Sequence, residues 1–130
     1  MTVEATRHPE LPVVHLKMKQ PLQMPGDVQT NAAEGQKLKQ EVGGHVYRII
    51  DVREAGLTFS DMMVGMSTDK SGEGTLDDPD VTTIFLGDGE LVEFGVKALA
   101  EQDQYGKLGV KLFSSEEDAY DFVREDMQKR

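Results

Sequence analysis

The sequence predicts an α/β domain, in which strands and helices alternate along one chain. Two apolar runs, residues 46–52 and Val81–Leu86, have the length and composition of strands that are covered on both faces. Each run is followed by a segment whose apolar residues recur at helical spacing. Strands that alternate with helices form a mainly parallel sheet with right-handed crossovers. We therefore expect about four strands, mainly parallel with one antiparallel edge allowed, and about four helices.

The N-terminal elements are predicted from polarity and periodicity. Residues 1–10 are polar, so we expect a disordered tail there and a single domain over residues 11–130. In Val13–Lys19 apolar and polar side chains alternate, which predicts a half-buried strand at the edge of the sheet. Residues 26–42 have weak helical periodicity and form the next predicted helix, with Asp27 as its candidate N-cap.

The junction after residues 46–52 is the most informative part of the chain. A short loop there leads into a helix that begins at Thr58 or Ser60, with Ser60 as the simplest N-cap. Because α/β proteins place their working surface at the carboxyl ends of strands, we predict a partner or ligand surface here. Asp51, paired with Ser60 or Asp61, would add a polar patch. The candidate residues are Asp51, Thr58, Ser60, Asp61, Met62, Met63 and Met66. The methionines either pack in the core or form an adaptable apolar surface.

The C-terminal half continues the alternation. Residues 69–80 are rich in Gly, Ser and Asp and are predicted to form an exposed loop. Residues 87–89 are a turn, and residues 91–99 have the spacing of an amphipathic helix. The last strand is predicted at residues 110–113. A capping box at residues 114–117 then opens the final helix.

Charge and composition exclude several classes of protein. The net charge is −10, and it is uneven: residues 1–65 carry 8 acidic and 7 basic side chains, whereas residues 66–130 carry 16 and 7. Such a surface argues against nucleic acid and anionic membranes as partners. It is explained by solubility or by a basic protein partner. Without cysteine there is no disulfide, thiol catalysis or cysteine-bound zinc. The absence of a signal peptide and of a long apolar run predicts a cytoplasmic protein.

No catalytic or metal site is predicted. The three histidines, His8, His15 and His45, have no acid at ligand spacing in the sequence, and His15 is expected on the exposed face of its strand. No histidine or second base follows Ser60 to activate it as a nucleophile. The glycines of residues 87–89 do not form a phosphate-binding motif. We therefore expect neither enzymatic activity nor a cofactor.

Three segments resemble a known family. They are Tyr-Arg-Ile-Ile-Asp-Val at residues 47–52, Glu-Ala-Gly-Leu-Thr-Phe at residues 54–59, and the strand and capped helix of residues 110–122. Together they resemble the STAS domain of anti-sigma-factor antagonists and sulfate transporters, most closely its divergent SpoIIAA-like group. The resemblance covers roughly residues 11–127. It implies a non-catalytic regulatory or protein-interaction module, which could include self-association as a homodimer.

The resemblance also has one departure and one alternative. In the antagonists a serine or threonine at the start of the helix is phosphorylated, but alignment puts Asp61 at the preceding acid and Met62 and Met63 at the hydroxyl positions. A methionine cannot accept a phosphate, so the phosphorylation switch is left open. The SpoIIAA-like group is related in fold to CRAL-TRIO lipid-transfer domains. That relation implies the alternative function, binding of a small apolar or lipid ligand in a cavity between helix and sheet.

Overall fold

The structure, a computed structural model, describes residues 2–101 and 110–130. Its strands are β1 (Val3–Arg7), β2 (Val13–Lys19), β3 (Val46–Glu54), β4 (Val81–Leu86) and β5 (Lys111–Phe113). Its helices are α1 (Gly26–Val42), α2 (Phe59–Thr68), α3 (Glu90–Glu101) and α4 (Glu116–Gln128). None of these helices is long and apolar enough to cross a membrane.

The sheet is mixed and has one strand more than expected. Within the described residues its order is β1-β2-β3-β4-β5. The strands from β2 to β5 pair in parallel, and β1 pairs antiparallel with β2. The α/β class is therefore confirmed, whereas the expectation of about four strands is wrong. The additional strand forms an antiparallel edge.

This edge strand, β1, lies where a disordered tail was expected. Val3 is buried and pairs with Met18 of β2, whereas Ala5, two residues further along, is exposed. On the other side of the strand, Glu4 Oε1 lies 2.8 Å from Lys19 Nζ. One buried apolar residue is too little for a recognisable alternation, and backbone pairing with β2 holds the strand in place. In consequence β2 is an interior strand, and its predicted edge position is wrong.

The central strand β3 is buried on both faces, as its apolar run predicts. Ile50 and Val52 point toward α1, α2 and α3, and we call this side of the sheet the front face. Tyr47 and Ile49 point to the opposite side, where they pack with Ala119 of α4. We call that side the back face. The side-chain alternation of β3 therefore decides which groups can reach which helices.

Helix α1 has the predicted bounds, but its N-cap is Pro25 and not Asp27. The carboxylate of Asp27 instead accepts hydrogen bonds from the Thr2 hydroxyl and from the backbone N–H of Gln23. Asp27 is already inside the first turn, so its side chain binds the preceding loop and the start of the chain. The same contact helps to hold β1 beside α1.

Residues 69–80, predicted as an exposed loop, are partly buried. Asp78 accepts a hydrogen bond of 2.8 Å from the backbone N–H of Gly74 and one of 3.1 Å from Lys39 Nζ. The carboxylate thus closes the loop on itself and also ties it to α1. Turn-forming composition predicted the irregular backbone correctly, but it carried no information on this contact with a distant helix.

The final helix begins as predicted, with its cap one residue later. The Ser115 hydroxyl accepts a hydrogen bond of 3.2 Å from the backbone N–H of Asp118. The serine cap therefore lies one position later than the capping box expected at residues 114–117. Because two successive serines precede three acidic residues, the sequence alone allows either serine to be the N-cap.

Candidate functional site

Large apolar side chains are exposed on the neighbouring helices α2 and α3. Phe59, Met63 and Phe94 are 56%, 48% and 58% exposed, and we call these three residues the α2–α3 patch. The ring centroids of Phe59 and Phe94 lie 6.4 Å apart. Met63 is one helical turn beyond Phe59 and shares its helix face. Clustered exposed apolar groups mark sites of association, so this patch is the candidate interaction surface.

The N-terminus of α2 is held by a reciprocal pair of hydrogen bonds. The Thr58 hydroxyl accepts from the backbone N–H of Asp61, and the Asp61 carboxylate accepts from the backbone N–H of Thr58, both at 3.1 Å. This arrangement is a capping box, and it makes Thr58 the N-cap. Ser60 is exposed inside the first turn, so its predicted capping role is wrong. Thr58 and Asp61 thereby fix the position of Phe59 between them.

The methionines of α2 divide between the interior and the surface. Met62 is 8% exposed and faces α3, whereas Met63 belongs to the exposed patch. A Cβ added to Gly95 of α3 would lie 2.2 Å from Met62 Sδ. Glycine at position 95 therefore lets α3 approach the Met62 side chain closely. Both alternatives for the methionines, core packing and surface exposure, are realised on the same helix.

A small cavity lies between the front face and helices α1, α2 and α3. Its volume is about 80 Å³. The walls are mostly apolar and include Met18, Ile50, Met62 and Phe85. An apolar cavity of about 150 Å³ in another protein accepts benzene, so the space here suits a smaller molecule.

One polar side chain on the cavity wall has an unsatisfied atom. Asn31 of α1 is 2% exposed, and its Nδ2 donates to Met18 Sδ at 3.6 Å. Its Oδ1 is buried and has no hydrogen-bond partner among the described residues. Buried amide oxygens are paired in the great majority of native proteins. Asn31 is therefore an unusual component of an otherwise apolar wall.

A separate polar cluster occupies the back face at the carboxyl end of β3. The buried carboxylate of Asp51 accepts a hydrogen bond of 2.8 Å from Arg53 Nη2, and its Oδ2 lies 2.9 Å from His15 Nε2. Glu116, at the start of α4, lies 3.1 Å from Arg53 Nη2 and 3.7 Å from His15 Nδ1. These four side chains join β2, β3 and α4.

The electrostatics of this cluster are those of an ion-pair network. Burial alone would raise the pKa of Asp51, but hydrogen bonds from Arg53 and His15 lower it from 3.8 to about 2. Ligand atoms of His15, Asp51 and Glu116 lie within 4.8 Å of one another, a spacing that a metal ion could use. The guanidinium of Arg53 already pairs with both carboxylates, and a cation would have to displace it. The arrangement therefore favours a structural role.

The structure brings together only part of the predicted surface. Asp51 lies on the back face and does not pair with Ser60 or Asp61. Its partner His15 was expected on an exposed face without a neighbouring acid, and that expectation is wrong. The alternation of β3 explains the separation, because Asp51 points away from the side that α2 covers. The remaining predicted residues, Thr58, Ser60, Asp61, Met62, Met63 and Met66, lie on α2 or at its N-cap.

Several residues of interest were not predicted. Phe94 lies in a helix that was predicted from its apolar face, and a phenylalanine between Glu93 and Gly95 was a signal for an exposed aromatic group. Asn31 had a weaker signal, as a polar residue within a helix that has buried positions on both sides of it. Glu116 was assigned to a helix start, and its contact with β3 depends on tertiary packing alone.

Comparison with known proteins identifies no family for this chain, so its class is argued from the fold and the site. No protein-family model, no curated protein and no solved structure matches this chain. The fold defines an α/β domain with a mixed five-stranded sheet in its described part. The site consists of an exposed apolar patch on α2 and α3 above a small cavity. Any function must therefore be argued from these two features.

Proposed function

We propose that this protein is a non-catalytic regulatory or protein-interaction module of the STAS-like type, which binds a protein partner through the α2–α3 patch. The observation that carries the proposal is the joint exposure of Phe59, Met63 and Phe94 on adjacent helices. Aromatic residues and methionine are enriched at the centres of protein interfaces. Full burial of one such side chain contributes about 1.5–3 kcal/mol. Because these three are already about half buried, covering each of them would contribute roughly half of that.

The charges on the same helices indicate the chemistry of the partner. Together α2 and α3 carry four acidic side chains, Asp61, Glu90, Glu93 and Glu101, and one basic side chain, Lys97. A basic segment with apolar anchors complements this surface, because opposite charges steer association and exclude acidic competitors. A homodimer through this surface would bring two equally acidic helix pairs together. We therefore favour a basic heterologous partner.

In this proposal the back-face cluster has a structural role and not a catalytic one. His15 contacts the buried carboxylate of Asp51, and in the described part of the chain its second ring nitrogen faces Glu116 and not a hydroxyl group. A nucleophile activated by a histidine needs a hydroxyl or thiol within hydrogen-bond reach of that nitrogen. The carboxylates of the cluster are held by Arg53 as ion pairs. The cluster therefore stabilises the fold in our proposal.

The test compares partner capture by matched surface variants. Phe59→Ser and Phe94→Ser each remove one exposed ring of the patch, and Met127→Ser removes an exposed apolar side chain of α4 as the control. Each purified protein is used to capture proteins from a lysate of the source cells, followed by quantitative mass spectrometry. We expect at least one basic protein to be captured by the wild type and by Met127→Ser, and lost with both phenylalanine variants. Equal capture by all four proteins would contradict the proposal.

The oligomeric state provides a second test. Sedimentation velocity of the wild type should give a monomer, since the acidic helices oppose self-association through the patch. The salt dependence of binding to a captured partner should be steep if charge steers the encounter. A stable dimer that dissociates with Phe59→Ser would instead assign the patch to self-association.

A further inference from the structure

The cavity beneath α2 combines an apolar wall with one buried hydrogen-bond acceptor. Asn31 lies on this wall, and its Oδ1 has no hydrogen-bond partner among the described residues. A leucine at this position would fill the same space without leaving a polar atom unsatisfied. Burial of an unpaired amide oxygen lowers stability unless a donor reaches it. The amide oxygen is therefore suited to a molecule that brings a hydrogen-bond donor.

We infer that this cavity binds a small neutral amphiphile, with its hydrogen-bond donor on Asn31 Oδ1 and its apolar body among the surrounding side chains. The volume of about 80 Å³ limits the body to a short chain. The cavity walls include Met18, Met24 and Met62, and methionine adjusts its shape to irregular ligands.

The charges on the wall favour an uncharged ligand. The described wall contains no lysine, arginine or histidine, so an anion would be buried without a counter-charge. Asp61 and Asp69 reach the wall, but Asp61 is bonded in the capping box and Asp69 is paired with Arg48. Asp69 is therefore already neutralised, and the charge of Asp61 is held at the N-terminus of α2. An alcohol or a comparable uncharged donor fits the site best.

This inference is independent of the proposed partner surface. Phe59, Met63 and Phe94 do not line the cavity. The Phe59→Ser and Phe94→Ser variants therefore leave the cavity wall intact, and a change at Asn31 leaves the patch intact. Failure of either idea can be recognised without reference to the other.

The experiment uses two isomeric probes, 1-butanol and methyl propyl ether. They have the same molecular formula and nearly the same size, but only the alcohol can donate a hydrogen bond. The protein is labelled with ¹³C at its methionine methyl groups, and each probe is titrated while the methyl resonances are followed by NMR. Met18, Met24 and Met62 report on the cavity, and the exposed Met63 and Met127 serve as internal controls.

We expect saturable shifts of the cavity methyl groups, without saturable shifts of the controls, and about fivefold tighter binding of the alcohol than of the ether, the effect of one neutral hydrogen bond. Asn31→Leu should reduce that ratio to about one. Gly65→Ala, which adds a methyl group to the cavity wall at ordinary contact distance from Met24 and Val28, should weaken both probes. The comparison of the two probes on the wild-type protein tests the inference even where a variant fails to fold.

Two results would overturn the inference. Equal affinities of the two isomers for the wild type would mean that Asn31 does not recognise a donor. Shifts that never saturate, or that are equally large at Met127, would mean that the probes act on the protein nonspecifically and that water alone satisfies Asn31. In a separate experiment, native mass spectrometry of protein purified from its own cells tests for a retained small molecule. We expect the added mass of that molecule to be absent from the Asn31→Leu variant.

Discussion

The guanidinium of Arg48 in β3 forms an ion pair with the carboxylate of Asp69, directly after α2, and both side chains are buried. Arg48 Nη1 lies 3.1 Å from Asp69 Oδ1, and Arg48 Nε donates a hydrogen bond of 2.9 Å to Thr83 Oγ1 in β4. The pair attaches the end of α2 to the centre of the sheet. With the capping box of Thr58 at the other end, it sets the orientation of the helix that carries the patch.

Loss of this pair should be strongly destabilising. Asp69→Asn leaves the Arg48 charge buried without its counter-charge, which should lower the free energy of unfolding by about 3–5 kcal/mol. The control is Asp121→Asn, because Asp121 pairs with Arg124 on the surface at 3.5 Å. Exposed pairs contribute about 0–1 kcal/mol. Urea unfolding of the two variants measures the difference, and equal effects would mean that the buried pair does not hold α2.

Asp51 should make stability depend on pH in the acid range. Its folded pKa of about 2 is below its ordinary value of 3.8, so the charged form stabilises the folded state. That contribution is present above pH 3.8 and is lost as the pH falls toward 2. Asp51→Asn should lower the free energy of unfolding at neutral pH by on the order of 2 kcal/mol.

The difference between Asp51→Asn and the wild type should shrink as the pH is lowered from 3.8 toward 2. Urea unfolding at a series of pH values measures it. Asp88→Asn, at an exposed carboxylate, is the control and should have little effect. A constant difference across the acid range would show that Asp51 contributes through packing and not through its charge.

Thr58 and Ser60 should respond differently to the same substitution. Thr58→Ala removes a hydroxyl that accepts a backbone hydrogen bond at the N-terminus of α2, and should lower stability by about 1 kcal/mol. Ser60→Ala changes an exposed residue inside the first turn and should be nearly neutral, since alanine favours the helix. Thermal unfolding distinguishes the two. A larger loss of stability with Ser60→Ala than with Thr58→Ala would mean that Ser60, the position that the sequence favoured, is the N-cap.

Two mid-helix glycines provide a matched pair of substitutions. A Cβ at Gly65 of α2 would lie 3.7 Å from its nearest neighbours, whereas a Cβ at Gly35 of α1 would lie 2.9 Å from the backbone oxygen of Gly74. Gly65→Ala should stabilise the protein by up to about 1 kcal/mol through helix propensity. Gly35→Ala should destabilise it, because the backbone of the loop must move away. Chemical denaturation of both variants tests the sign, and stabilisation by both would mean that the loop does not pack closely on α1.

Local patterns determined much of the fold. The apolar runs of β3 and β4 and the helical spacing in α1, α2 and α4 depend on neighbouring residues in the chain, so they could be predicted directly. By contrast β1 was missed because Val3–Arg7 is held by backbone pairing with β2, and five residues with one buried apolar group carry little local signal. The predicted edge position of β2 was wrong for the same reason.

The sequence by itself determined that this is an acidic α/β protein with a methionine-rich helix after its central strand. The tertiary structure decided which side chains face which way. It placed Asp51 beside His15, 36 residues away, exposed Met63 while burying Met62, and left Asn31 on the wall of a cavity. Periodicity defines a helix face, but the rotation of that face against the sheet depends on packing between residues that are distant in the chain.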